Sequence, residues 1–152
     1  MIQILFGSGL RVSEVVDLKI NDIDFIRKII TVRHGKGAKD RITIVSEQTL
    51  NNIEKYLFEY QPLVFLFESY RAGEKLAVRS VQKVVTEAVE SAGVNPNASA
   101  HSLRHGFATH LLESGTDIRY IQDLLGHARL ETTQIYTKVA SNKLQEIKNP
   151  FE

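Results

Sequence analysis

Six side chains of this sequence could together carry out one reaction, the attack of a tyrosine hydroxyl on a phosphodiester. They comprise two arginines, two histidines, one lysine and one tyrosine, namely Arg11, Lys36, His101, Arg104, His127 and Tyr136. A phosphoryl group in its transition state spreads negative charge over its non-bridging oxygens, and fixed cations or donors must meet that charge in the absence of a metal. The inventory therefore indicates chemistry at a phosphate.

Two other kinds of site are considered for these residues. His101 and His105 lie four residues apart and would share a helix face, as metal ligands do, but no carboxylate stands between them in the H-E-x-x-H manner and the chain has no cysteine. Gly35-Lys36-Gly37 lacks the G-x-x-x-x-G-K-[ST] frame of an ATP site and is more typical of a hairpin turn with a projecting lysine. The sequence thus predicts no metal and no nucleotide cofactor.

Length and composition limit the classes of protein. A chain of 152 residues with 43% hydrophobic content can form one compact core and is short for two domains. No apolar run approaches the roughly 18 residues of a membrane-spanning helix, and residues 1–6 lack the basic leader of a secretion signal. We expect a single domain, no membrane association and a cytoplasmic location.

The charge distribution is uneven although the net charge is only +1. Residues 27–41 contain six basic residues against one acidic residue, Asp40; the basic ones are Arg27, Lys28, Arg33, Lys36, Lys39 and Arg41. Clustered Lys and Arg are the usual electrostatic footprint of DNA binding. On charge alone, a solvated hairpin and a phosphate-contacting surface remain equally open.

Hydrophobic periodicity predicts the elements that must position these residues. A helix containing Val12 and Val15 should follow the Gly7 and Gly9 turn, and β-branched runs at 29–33 and 41–45 predict a hairpin around 34–40. Two core helices are expected, one ending before Pro62 and the other at Gly93, with a short strand at 63–67 and a loop at 69–75 between them.

The last third has the most regular pattern. Ser102 is expected to cap a helix that ends at Gly115, and Asp117 a second helix that ends at Gly126. A third helix should begin after Arg129 and contain Tyr136, followed by a tail at 140–152. Two short helices meeting at a tight turn would resemble a helix-turn-helix.

The joint occurrence of four motifs is more specific than any one of them. They are the segments 8–14, 35–41 and 101–105, and Leu124-Leu125-Gly126-His127 with Tyr136 nine residues after the histidine. In this order they strongly resemble the tyrosine recombinases, also called the phage integrase family, and within it the Xer-type enzymes. The resemblance covers nearly the whole chain.

The resemblance implies a fold and an activity. The fold is the family's catalytic domain, mainly α with a small antiparallel β-sheet (α+β), here as one domain over residues 1–152 without the family's amino-terminal DNA-clamping domain. The activity is site-specific cleavage and rejoining of DNA through a 3′-phosphotyrosine. The implied partner is double-stranded DNA, bound by a chain that is a monomer in solution and a homo-oligomer of up to four copies on DNA.

The resemblance also assigns the site residues. Arg11 and Arg104 correspond to the pair that clamps the scissile phosphate, His127 to a third activating residue beside them, and Tyr136 to the nucleophile. Lys36 corresponds to the lysine that protonates the departing 5′ oxygen and His101 to the histidine that assists proton transfer from the tyrosine. Glu14 matches an acidic residue that orients Arg11. DNA contacts are expected from the basic patch, at Arg33, Lys39 and Arg41.

Physical chemistry supports these roles. A free tyrosine has a pKa near ~10, so it needs cations or an acceptor nearby to become a good nucleophile. The phosphotyrosyl bond keeps the energy of the broken phosphodiester, and rejoining then needs neither ATP nor a metal. Two alternatives stay open: a shortened, non-catalytic DNA-binding or regulatory fragment, and a type IB topoisomerase-like strand transferase.

Overall fold

The computed structural model describes residues 1–33 and 40–126, and all structural statements below concern these two ranges. Helices predominate beside one small sheet. In chain order the elements are α1 (Ile2–Gly7), α2 (Val12–Asp17), a 3₁₀ turn (Ile20–Asp22), β1 (Ile23–Asp24), β2 (Ile29–Val32), β3 (Arg41–Ile44), α3 (Glu47–Tyr60), α4 (Val78–Ala92), α5 (Ala100–Glu113) and α6 (Ile118–Leu125). The predicted α+β class with a small antiparallel sheet is confirmed.

The sheet has the order β1-β2-β3 and is antiparallel throughout. Ile30 pairs with Thr43 and Val32 with Arg41, so these four side chains share the face that packs on the helices. All four are buried. The predicted hairpin is confirmed, and the register brings the Arg41 side chain to the interior. Its connecting residues 34–39, which include Lys36 and Lys39, lie outside the described ranges.

The region 63–67 does not form the strand that its apolar composition predicts. Its only ladder contact is an isolated bridge between Lys19 and Phe65. The Glu68 carboxylate accepts the backbone N–H groups of residues 63, 64 and 65 at 2.7–3.2 Å, and that of Gly73 at 2.8 Å. The Glu68 side chain thus accepts hydrogen bonds from N–H groups that would otherwise donate to a partner strand.

The cap of α5 also differs from the prediction. Ser99, rather than Ser102, is the N-cap, because its hydroxyl accepts the N–H of Ser102 and the Ser102 hydroxyl accepts the N–H of Ser99 in return. The reciprocal pair starts the helix earlier and places His101 and Arg104 in its first turns. The predicted Asp117 cap of α6 and its end at Gly126 are confirmed.

Two groups of buried side chains form the core. The larger joins α1 and α2 to the sheet, α3 and α4, and the smaller lies between α5 and α6, with Phe107, Ala108, Ile121 and Leu125 at its centre. Within residues 1–33 and 40–126 no helix is long and apolar enough to span a bilayer. The predicted third helix of the last third and the tail at 140–152 lie outside these ranges.

Candidate active site

Three arginines from distant parts of the chain converge on the carboxylate of Glu14. Nη1 of Arg11 lies 2.9 Å from Oε1 of Glu14, and Nη1 of Arg41 lies 2.6 Å from the same oxygen. Nη1 of Arg104 lies 3.7 Å from Oε2. One anion therefore holds three cations in a small volume, and such a cluster attracts a further anion such as a phosphate.

Local structure fixes Glu14 at this point. Its Oε2 accepts the backbone N–H of Arg11 at 2.7 Å, which places the carboxylate against the first turn of α2 and satisfies a donor there. The turn before α2 requires Gly9, whose φ is +63° and whose Cβ, if present, would overlap the ring of Phe107. This close approach packs the turn between α1 and α2 directly against α5.

Arg104 is buried and links three elements. It donates from Nη1 to the carbonyl oxygen of Gly9 at 2.5 Å and from Nη2 to that of Leu125 at 2.7 Å. The first bond connects α5 to the turn before α2, and the second connects it to the last turn of α6. With 5% of its side chain exposed, Arg104 has its position determined by the fold.

Arg41 forms a bidentate ion pair with Glu14. Its Nη1 and Nη2 donate to Oε1 and Oε2 at 2.6 and 2.8 Å, and its Nε donates to the carbonyl oxygen of Leu124 at 2.8 Å. Bidentate pairing of this kind is stronger and more directional than a single contact. Only 7% of the side chain is exposed.

The Glu14 carboxylate is strongly acidic because of these neighbours. Burial opposes ionisation, but the hydrogen bond from Arg41, that from the Arg11 backbone and the charges of both arginines outweigh it and lower the pKa of Glu14 to about 2. Glu14 is therefore an anion at any ordinary pH. It cannot act as an acid or base near neutrality, and its role is to orient cations.

Arg11 is the accessible member of the three. Its side chain is 42% exposed, against 7% for Arg41 and 5% for Arg104. Its guanidinium can therefore meet a ligand from solvent while Glu14 limits its motion. His101, also exposed, lies one turn before Arg104 on α5.

The predicted site residues fall into three sets: those at or near Glu14, those of the basic patch, and those outside the described residues. The structure brings Arg11, Arg104 and Glu14 together and places His101 on the same helix as Arg104. Arg33 is exposed, and its Nε donates to Oδ1 of the buried Asp22 at 2.5 Å, a contact that raises the pKa of Arg33. Arg41, expected at a DNA surface, lies inside. Lys36, Lys39, His127 and Tyr136 lie outside the described residues.

The sequence pattern did not identify Arg41 as a member of the cluster around Glu14. Its position among basic residues suggested a surface. The available signal was the period-2 pattern of β3, in which Arg41 and Thr43 share one face and Ile42 and Ile44 the other. Because Ile42 and Ile44 are apolar, hydrophobicity alone would assign their face of the strand to the interior. Both side chains are nevertheless exposed.

Comparison with known proteins identifies the family to which this fold belongs. The model of the phage integrase family matches residues 1–143, and the chain therefore belongs to the phage integrase family. It is 46% identical over 146 residues to the tyrosine recombinase XerA of Pyrococcus horikoshii, with 94% of this chain and 50% of that protein covered.

Solved structures show the same likeness. The crystal structure of XerA recombinase superposes with a TM-score of 0.85 at 38% identity, covering 95% of this chain and 54% of that one. XerH, in a post-cleavage complex with a palindromic difH substrate, gives a TM-score of 0.81 at 31% identity, covering 95% and 43%. The predicted tyrosine recombinase catalytic-domain fold is confirmed. The chain spans about half the length of the relatives it matches.

Proposed function

We propose that this chain is a site-specific DNA recombinase that cleaves and rejoins DNA through a 3′-phosphotyrosine. The observation that carries the proposal is the cluster of Arg11, Arg41 and Arg104 around Glu14, with one guanidinium open to solvent and the others fixed. Preorganised donors of this kind stabilise charge that develops in a transition state. The family and the DNA-bound relative support a DNA phosphate as the anion that this cluster binds.

In this proposal Tyr136 Oη attacks the scissile phosphorus. A bond forms between Oη and phosphorus, the bond from phosphorus to the 5′ oxygen breaks, and the 3′ phosphate stays attached to the tyrosine. Arg11, Arg104 and His127 stabilise the charge on the non-bridging oxygens. The tyrosine proton leaves with the help of His101, and Lys36 supplies a proton to the 5′ oxygen. Rejoining reverses these transfers from a 5′ hydroxyl.

The assembly follows from the same proposal. Double-stranded DNA is the partner, the chain is one catalytic domain that is monomeric in solution, and copies associate on DNA, up to four. The proposed location of this activity is the cytoplasm. The segment 140–152 is proposed to contact a neighbouring copy in that assembly.

Tyr136 is expected to form a covalent bond to DNA. The substrate is a pool of nicked duplexes with a randomised segment beside the nick, and loss of the short strand after cleavage traps the intermediate. Denaturing electrophoresis should reveal an adduct, and its recovered DNA defines a single substrate for later work. The Tyr136→Phe variant, which lacks only the nucleophilic oxygen, should give none.

The outcomes separate the three candidate activities. DNA binding without an adduct would support the non-catalytic regulator, and an adduct formed on all sequences alike, with relaxation of supercoiled DNA, would support the topoisomerase-like activity. An adduct that persists in Tyr136→Phe would overturn the assignment of the nucleophile.

Lys36 is expected to act as the general acid, and leaving-group chemistry can test this. The DNA recovered from the adduct is called the captured substrate. The Lys36→Ala variant should cleave it on the order of 10²-fold to 10⁴-fold more slowly, the usual contribution of a positioned proton donor. A substrate with a 5′-bridging sulfur needs no proton on its leaving group and should restore most of the rate. Equal loss on both substrates would assign Lys36 to DNA binding instead.

A further inference from the structure

We infer that Arg41 is a positioning residue for the cleavage reaction, rather than a DNA contact. This inference rests on the proposed function and deepens it. Through Glu14, Arg41 would fix the positions of the phosphate-clamping arginines relative to the end of α6. Three sets of observations support it: the use of its donors, the position of its carbonyl acceptor and the fit of Gly126 against it.

All three nitrogens of the Arg41 guanidinium already donate within the protein. Nη1 and Nη2 bind both oxygens of Glu14, and Nε binds the carbonyl oxygen of Leu124. The side chain is 7% exposed and its partner Glu14 6%. Withdrawing Arg41 to reach a DNA phosphate would leave the Glu14 carboxylate buried without its bidentate partner, which is costly. Arg104 differs, because its nearest approach to Glu14 is 3.7 Å and its donors bind neutral carbonyl oxygens. Arg41, the bidentate partner of the buried carboxylate, is therefore the arginine suited to orient Glu14 rather than to bind DNA.

The second contact reaches the last turn of α6. The carbonyl oxygens of a helix's last turn have no partner within the helix, and Arg41 satisfies that of Leu124 while Arg104 satisfies that of Leu125. Two residues later the chain reaches His127, and Tyr136 follows in sequence. The point at which this catalytic segment leaves α6 is thus fixed by the same guanidinium that binds Glu14.

The third observation is a close fit at Gly126. This residue ends α6 with φ +66°, and a Cβ there would lie 2.7 Å from Cδ and 3.1 Å from Nε of Arg41. Because Gly126 has no side chain, Arg41 has room beside the end of α6. Arg41 also begins β3, directly after the hairpin segment that carries Lys36. One side chain therefore connects the hairpin, Glu14 and the end of α6.

The test separates rate from affinity. Single-turnover cleavage of the captured substrate, with protein in saturating excess, should fall by roughly 10-fold to 100-fold in Arg41→Gln, because small displacements of reacting groups have effects of that size. Its Kd for the same DNA and the slope of log Kd against log salt should match the native values. Lys75→Met is the matched control: it removes a cation that pairs with Asp17, also on α2, but at the surface, and should keep the native rate.

A phosphate contact at Arg41 predicts a different result. Affinity would weaken and the salt slope would drop by about 0.9, the value for one lost phosphate contact, with the saturated rate retained. That pattern, or a native rate in Arg41→Gln, would overturn the inference while leaving the proposed function intact. A native protein that forms no adduct would overturn both.

Gly126→Ala provides a second variant, which is useful if Arg41→Gln fails to fold. The added methyl displaces the Arg41 side chain without removing it and should slow cleavage at unchanged Kd; a native cleavage rate in Gly126→Ala would contradict the inference. Where Arg41→Gln folds, the double variant gives a further test. In the double variant Arg41→Gln/Gly126→Ala the alanine should have a smaller effect than it has alone, because the side chain that it displaces is already gone. Independent, multiplicative losses would show that Gly126 acts apart from Arg41 and would contradict the inference.

Discussion

Alanine at Arg104 is expected to reduce both cleavage and stability, whereas alanine at Arg11 should reduce cleavage alone. In the proposed reaction each variant loses one donor to the transition-state charge, and removal of such a donor typically slows a reaction by ~10²-fold to 10³-fold. The difference arises from burial. Arg104 is 5% exposed and Arg11 42% exposed, although both lie beside the same carboxylate.

The stability difference follows from the partners that each arginine leaves behind. Arg104→Ala leaves the carbonyl oxygens of Gly9 and Leu125 without the donor they have now, and a buried acceptor left unsatisfied costs about 1–3 kcal/mol. The ion pair of Glu14 with the half-exposed Arg11 contributes within about 1 kcal/mol, and Glu14 keeps its pair with Arg41 when Arg11 is removed.

Urea unfolding and single-turnover cleavage of both variants measure the two effects separately. Arg71→Ala is the control, since it removes an exposed arginine that pairs with Glu74 in the loop at 69–75. This variant should keep the native rate and stability. Equal stability of the Arg11 and Arg104 variants would contradict the structural role of Arg104, and a native cleavage rate in either would remove that arginine from the proposed reaction.

The sequence predicted the elements where local patterns determine structure. Both strands of the hairpin, α3, α4 and the end of α6 at Gly126 follow from hydrophobic period and from a glycine in the left-handed region. The convergence of Arg11 and Arg104 was expected from the family motifs alone. Neither periodicity nor charge could show that Glu14 is the anion that brings them together.

The features that were missed depend on contacts between distant parts of the chain. Arg41 is separated by 83 positions from Leu124, whose carbonyl it binds, so no local pattern records that contact. In the apolar run at 63–67 the Glu68 carboxylate accepts the N–H groups of residues 63, 64 and 65, which a partner strand would otherwise accept, and the N–H of Leu66 donates to the Leu18 carbonyl. Ser99 and Ser102 are both good caps, and only their reciprocal hydrogen bonds decide which one starts α5.

Glutamine at Glu14 is expected to destabilise the protein by roughly 3–5 kcal/mol at pH 7, because it leaves two buried guanidinium groups without their anion. Arg41 would lose its bidentate partner and Arg104 its nearby charge. The replacement preserves the size and shape of the side chain, so the loss reports charge rather than packing. Glu47→Gln, at an exposed carboxylate that pairs with Lys28, is the control and should unfold almost as the native protein does.

The effect of Glu14→Gln should shrink in acid. The pKa of Glu14 is lowered from its ordinary 4.5 to about 2 in the folded protein, so its charge stabilises the fold fully above about pH 4.5, and that contribution disappears as pH falls toward 2. Its size is on the order of 3 kcal/mol. Urea unfolding of native and variant proteins at pH 7 and pH 3 should show their difference narrowing by about 2 kcal/mol. A difference that stays constant over this range would show that Glu14 is not the buried anion on which the three arginines depend.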